Sequence, residues 1–131
     1  MVVGARVVRY AEVIRPRDDG PSVYLCVEPV DGRKQINGLV SLIQEQFEHD
    51  PFCERLFVFS NKRRDRCRIV YWERSGFVMW LKKLERERFA WPRAHEHDGL
   101  LTLDVAQLNL LLDGYDIWRM RPHPRLHYEV A

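Results

Sequence analysis

The chain has 131 residues, 46% hydrophobic and 31% charged, and its 21 Lys and Arg against 19 Asp and Glu leave a net charge of +2. One domain with a sizeable core fits that length, and the composition points to a soluble globular protein rather than the disordered or membrane classes. No apolar run approaches the roughly 20 residues of a membrane-spanning helix.

Residues 1–22 mix short apolar runs with Arg6, Arg9 and Arg15, which break the apolar region a signal peptide needs. A short strand over Val7–Ile14 is one reading of this segment, and RPRDDGPS closes it as a turn or tether. Cys26, Cys53 and Cys67 have neither disulfide nor zinc-ligand spacing, so a cytoplasmic protein with reduced thiols, no metal and no cofactor is expected. Residues 23–30, VYLCVEPV, read as a strand stopped by Pro29. Asp31 stands where an N-cap would, and Ile36, Leu39, Val40, Ile43 and Phe47 recur at helical spacing, which predicts a helix over 33–48.

Leu56–Ser60, Cys67–Glu73 and Gly76–Glu85 are three strands joined by NKRRDR and by the short turn at Arg74-Ser75-Gly76, connections that favour antiparallel neighbours. Residues 93–99 are a polar loop. Thr102 then caps a second helix with Asp104 in its first turn, Val105, Leu108, Leu111 and Leu112 as its apolar stripe, and Gly114 at its stop. The order β-α-β-β-β-α predicts a two-layer α+β domain over residues 23–118, an antiparallel meander with both helices packed on one face. An extended arm, residues 119–131, completes the chain.

The small net charge hides a strong asymmetry. Residues 54–93 carry twelve Lys and Arg against five acids, a net of +7, and the rest carry nine against fourteen, a net of −5. Because charges act over about a Debye length of 8–10 Å, local density decides what such a surface attracts. Lys62, Arg63, Arg64, Arg66 and Arg68 cluster at one turn, and guanidinium groups grip phosphate bidentately. Alternation puts Arg68 and Lys82 on one sheet surface if the register permits, with Lys83 beside them. Arg33 and Lys34, opening the first helix, are a second candidate anion contact. Tyr71, Trp72 and Trp80 would stack on bases if exposed, and an exposed patch of Trp72, Trp80 and Trp91 would dock a partner.

The remaining polar clusters point elsewhere. His95-Glu96-His97-Asp98, with His123 and His127, are loop residues without the spacing of a closed metal site, although a nuclease built on His95, His97 and Asp98 is a third reading. No phosphate-binding P-loop, nucleophile elbow or paired carboxylate motif is present, so no enzyme is expected.

Several segments in one order resemble a known family. They are Asp31-x-Arg33-Lys34 before Asn37-Gly38-Leu39, Asp50-Pro51-Phe52, Leu56-Phe57-Val58-Phe59, Tyr71-Trp72, Gly76-Phe77, Lys83-Leu84-Glu85 and Phe89-x-Trp91-Pro92. Together, over about residues 23–118, they resemble the accessory-protein family, called TnpB or the second open reading frame product, of the IS sixty-six bacterial insertion sequences. The resemblance implies a protein encoded beside a separate transposase and assisting transposition, with no catalytic residues to transfer. Arg64 stands where a Gly is common in the family. Two readings follow: a module contacting DNA through the basic meander, or an adaptor docking on the transposase through its aromatics. Association between copies of the chain is compatible with either.

Overall fold

The computed structural model describes residues 23–93 and 99–119. Its first strand, β1 (Val23–Cys26), buries three of four side chains and pairs in parallel with β2 (Leu56–Ser60), Val23 opposite Leu56 and Leu25 opposite Val58. Parallel pairing requires a crossover of a dozen or more residues. Residues 27–55 supply it, carrying helix α1 (Ile36–Ser41), which continues into a wider π-helical turn at Leu42–Gln46. From β2 the chain meanders antiparallel through β3 (Arg66–Glu73) and β4 (Gly76–Lys83). A last strand, β5 (Leu100–Leu103), lies antiparallel on the free side of β1 and leads into α2 (Val105–Leu112), so the sheet order is β4-β3-β2-β1-β5.

This is an α+β fold in close to the expected element order. The sheet, however, is mixed rather than purely antiparallel, because the α1 crossover returns the chain parallel to β1. The helices also occupy opposite faces, so the two-layer arrangement with both on one face is corrected. Leu39 of α1 and Ile43 of the π-helical turn pack on Cys26, Phe57, Phe59 and Val70, whereas Val105, Leu108, Leu111 and Leu112 of α2 pack on Val23, Leu25, Val58, Ile69 and Trp80. The reason lies in β2, where all five residues are buried. A strand apolar on both faces needs cover on both.

Local chemistry shifts three boundaries. Asp31 does not cap α1; Gln35 holds that position, and the Asp31 carboxylate instead accepts the Arg33 amide at 2.9 Å. Strand β4 stops at Lys83 instead of Glu85, because the Leu84 N–H turns to the Asp65 carbonyl at 2.7 Å. Thr102 lies in β5 opposite Tyr24, and the cap of α2 is Asp104, whose carboxylate accepts the Gln107 amide at 2.7 Å while the Gln107 side chain accepts the Asp104 amide at 2.9 Å. That reciprocal pair satisfies two amides the helix leaves without partners. Gly114, at φ 98°, ends the helix as expected.

Between the two sheet edges, residues 84–93 pass beneath the α2 face. Phe89 and Trp91 are buried there, and the Trp91 indole donates to the Cys26 carbonyl at 2.9 Å. The Trp118 indole donates to the Ala90 carbonyl at 2.7 Å, tying the end of α2 to the same segment. No helix among the described residues is long and apolar enough to cross a membrane. The readings made for residues 1–22, for His95–Asp98 and for residues 120–131 fall outside the described residues.

The thiols provide a direct check on this packing. Burial pushes Cys26 and Cys67 up to about 12, while Cys53 is half-buried and raised less far. Since the thiolate is the reactive form, a disulfide reagent at pH 8 should modify Cys53 in the folded protein and reach Cys26 and Cys67 only after denaturation. Rapid native modification of Cys67 would contradict the core described above.

Candidate nucleic-acid interface

The basic turn between β2 and β3 is organised by one amide side chain. Asn61 Oδ1 accepts the backbone N–H groups of Asp65 and Arg66, each at 3.1 Å, and its Nδ2 donates to the Asp65 carboxylate at 2.6 Å. That bond, chiefly, holds the Asp65 carboxyl below its ordinary range. The one acid of the turn is thus drawn into its scaffold, while Lys62 and Arg63 point to solvent. Arg64 behaves differently. It has φ 62°, in the left-handed region, its Nη1 is buried without a hydrogen-bond partner, and burial lowers its pKa. Gly would adopt this conformation without steric cost.

Arg68, 4% exposed, is the only buried charged side chain among the described residues. It lies on the α1 face of β3 and reaches the crossover loop before α1. Its Nη2 donates to the Asp31 carbonyl at 3.0 Å and its Nη1 to the Lys34 carbonyl. Burial lowers its pKa, and the nearby Arg66 charge acts in the same direction. Arginine nonetheless stays charged, so carbonyl dipoles here take the place of a carboxylate. The same loop neutralises Arg33: its guanidinium pairs with the Asp31 carboxylate at 3.0 and 3.2 Å, which lowers that carboxyl to about 2.

Tying the loop to β3 closes one side of an open cavity of about 100 Å³. Lys34, Arg66 and Arg68 give it three cations, Gln35 and Asn61 two amides, and Met79 and Leu81 an apolar floor; no acid lines it. The strand register adds a fourth cation at its rim. Arg66 faces Lys83 directly across β3 and β4, followed on the same face by Arg68 opposite Leu81, Val70 opposite Met79, and Trp72 opposite Phe77. Like charges directly opposite destabilise a sheet. An anion seated between them would remove that cost.

The other expected site residues divide between surface and core. Lys82 is on the opposite face from Arg68, because neighbours along β4 alternate, and it donates to the Leu112 carbonyl at 3.0 Å. There it meets carbonyls at the negative end of α2, a structural use of a cation. The expected shared surface of Arg68 and Lys82 is therefore not formed. Trp80 and Trp91, 5% and 7% exposed, belong to the core and cannot contribute to a docking patch. Trp72 is half-buried against Phe77 at 5.0 Å and Phe52 at 4.9 Å between ring centroids.

Phe52, Phe77 and the cavity floor were not anticipated as site residues. Phe77 was legible, since a two-residue turn sets it across from Trp72. Phe52 approaches only through the crossover. Among the described residues no three His, Cys, Asp or Glu side chains converge as a metal site.

Comparison with known proteins gives a consistent assignment. A family model described as IS66 Orf2 like protein matches residues 21–122. The uncharacterized protein y4jC of Sinorhizobium fredii (strain NBRC 101917 / NGR234) is 38% identical over 109 residues, covering 80% of this chain and 92% of that protein. A second uncharacterized protein of the same organism, y4hO, is 30% identical over 110 residues, covering 84% and 90%. No solved structure matches.

Two substitutions separate strain from support in this region. Arg64→Gly keeps the backbone bonds of the turn and relieves the left-handed strain and the buried unpaired nitrogen. Even after the larger chain entropy of Gly it should stabilise the fold by up to about 1 kcal/mol in urea denaturation. A clear loss of stability would show that the Arg64 side chain supports the turn. Arg68→Ala leaves the Asp31 and Lys34 carbonyls without their donor and should cost about 2–3 kcal/mol. A neutral outcome would show that the loop is held by other interactions.

Proposed function

Since the chain belongs to the IS66 Orf2-like protein family, we propose that it is a non-catalytic accessory protein of transposition that contacts DNA through the margin of β3 and β4. The observation that carries this reading is the cation set Lys34, Arg66, Arg68 and Lys83 around a cavity lined by no acid. Lys62 and Arg63 extend the positive surface along the adjoining turn. Each phosphate neutralised by such a surface releases condensed counterions, so affinity has an electrostatic origin without needing base contacts.

Roles within the set differ. Arg66 and Lys83 can move onto a phosphate, whereas Arg68 is committed to two carbonyls and contributes a fixed field. Arg33 is neutralised by Asp31, Arg64 is turned partly inward, and Lys82 serves α2, so these three add little to DNA affinity. The element's transposase is the natural protein partner. Of the three tryptophans, only Trp72 is placed to support the adaptor reading.

Binding to duplex DNA should weaken steeply as salt rises. Arg63→Ala and Arg66→Ala together should reduce the slope of log affinity against log salt by about 0.9 for each phosphate that is no longer neutralised. Lys82→Ala should leave that slope unchanged while lowering stability. Salt-independent binding, or no binding to any DNA, would exclude the DNA-contact reading and leave transposase capture in a pull-down as the measurement that decides for the adaptor.

A further inference from the structure

The α1 face of the sheet is incompletely covered. The helix crosses β3 and β4, and beside it Leu81 and Phe52 are 46% and 47% exposed, with Trp72, Phe77 and Met79 half-buried between them. Phe52, Trp72 and Phe77 meet at centroid separations of 4.9–5.2 Å, edge-on or tilted, and they do so at the surface. Phe77 also packs on the core, but Phe52 and Trp72 are not part of it, and a duplex backbone contact does not account for them.

We propose that this strip is a seat for single-stranded DNA, one phosphate lying between Arg66 and Lys83 while bases stack on the aromatic end. The inference rests on the DNA-contact reading above and deepens it by naming the form of DNA. Its support is the order of groups along one face. From Arg66–Lys83 to Trp72–Phe77 the register advances six residues, a span of about 20 Å. Cations occupy one end of that span, aliphatic Leu81 and Met79 the middle, and aromatics the other end.

Charge complementarity assigns each end its ligand group. Asp50, whose carboxylate accepts the Phe52 amide at 2.9 Å, stands at the aromatic end, where it disfavours phosphate and leaves the rings to uncharged bases. A positively charged track joined to sequence-tolerant stacking surfaces is how unpaired strands are held. A duplex keeps its bases stacked inside, so it can use only the cationic end.

The test compares an oligothymidylate of about a dozen nucleotides with a mixed-sequence duplex of equal length, by fluorescence anisotropy with the full chain at fixed salt. The single strand should bind more tightly and quench tryptophan emission. Trp72→Ala should lower single-strand affinity about fivefold or more, with duplex affinity nearly unchanged. Phe52→Ala, at a site half open to solvent, should act in the same direction and does not depend on how well the first variant folds. Arg66→Ala should weaken both ligands. Equal affinity for strand and duplex, or aromatic variants that bind the strand as the parent does, would overturn the proposal while steep salt-dependent duplex binding preserved the broader reading. Loss of transposase capture on Trp72→Ala with no single-strand preference would reassign the cluster to protein docking. Failure to bind either DNA would remove both readings.

Discussion

The Arg68 guanidinium couples the crossover to the meander. A charge buried this deeply is costly to desolvate unless its donors are met, and here the carbonyls of Asp31 and Lys34 meet them. The loop before α1 therefore has little freedom to leave β3. Its anchorage fixes Lys34 beside Arg66, closes the cavity, and brings the start of α1 onto the sheet. A hydrophobic residue at this position could fill the volume but would leave two carbonyls unpaired. Structural and electrostatic demands thus converge on a single side chain.

The parallel pairing of β1 with β2 has a second consequence. It forces a long crossover, which places α1 on one face, while α2 after β5 covers the other. Because α1 is only six residues long before it widens into a π-helical turn, it crosses β3 and β4 without covering their full length. Groups that would be core in a longer-helix version of the same fold, such as Leu81, stay open there. On the opposite face the 84–93 segment, with Phe89 and Trp91, completes the cover. The basic, aromatic stretch is divided accordingly: Trp80, Trp91 and Lys82 maintain the α2 side, while Trp72, Arg66 and Lys83 face outward on the α1 side.

Much of the fold was legible in the sequence. Alternation in RCRIVYWE and GFVMWLKK and the short turn between them identified the β3–β4 hairpin. The Val105, Leu108, Leu111 and Leu112 stripe with Gly114 identified α2. The five-residue run LFVFS also held a clue to two-sided cover, since a strand apolar on both faces implies layers on both. Strand β5 was missed because its four residues run directly into the capped helix, and Thr102 satisfies either a strand or a cap. The site was less legible. The cations were visible as a cluster, but which of them are neutralised, buried or used as caps depends on carbonyls and carboxylates distant in the chain.

By itself the sequence determined the family, the α+β class, and the concentration of positive charge between residues 54 and 93. The class and the charge concentration follow from local periodicity, residue type and composition, and the family from likeness along the chain to its members; none of these needs knowledge of long-range pairing. Only the tertiary structure decided that the helices flank the sheet, that Arg68 and Lys82 lie back to back, and that Arg66 meets Lys83 beside Lys34. Strand register and helix placement set those relations, and a side chain's face inverts with a one-residue shift. Such a shift leaves composition unchanged while reversing which charges reach the surface together.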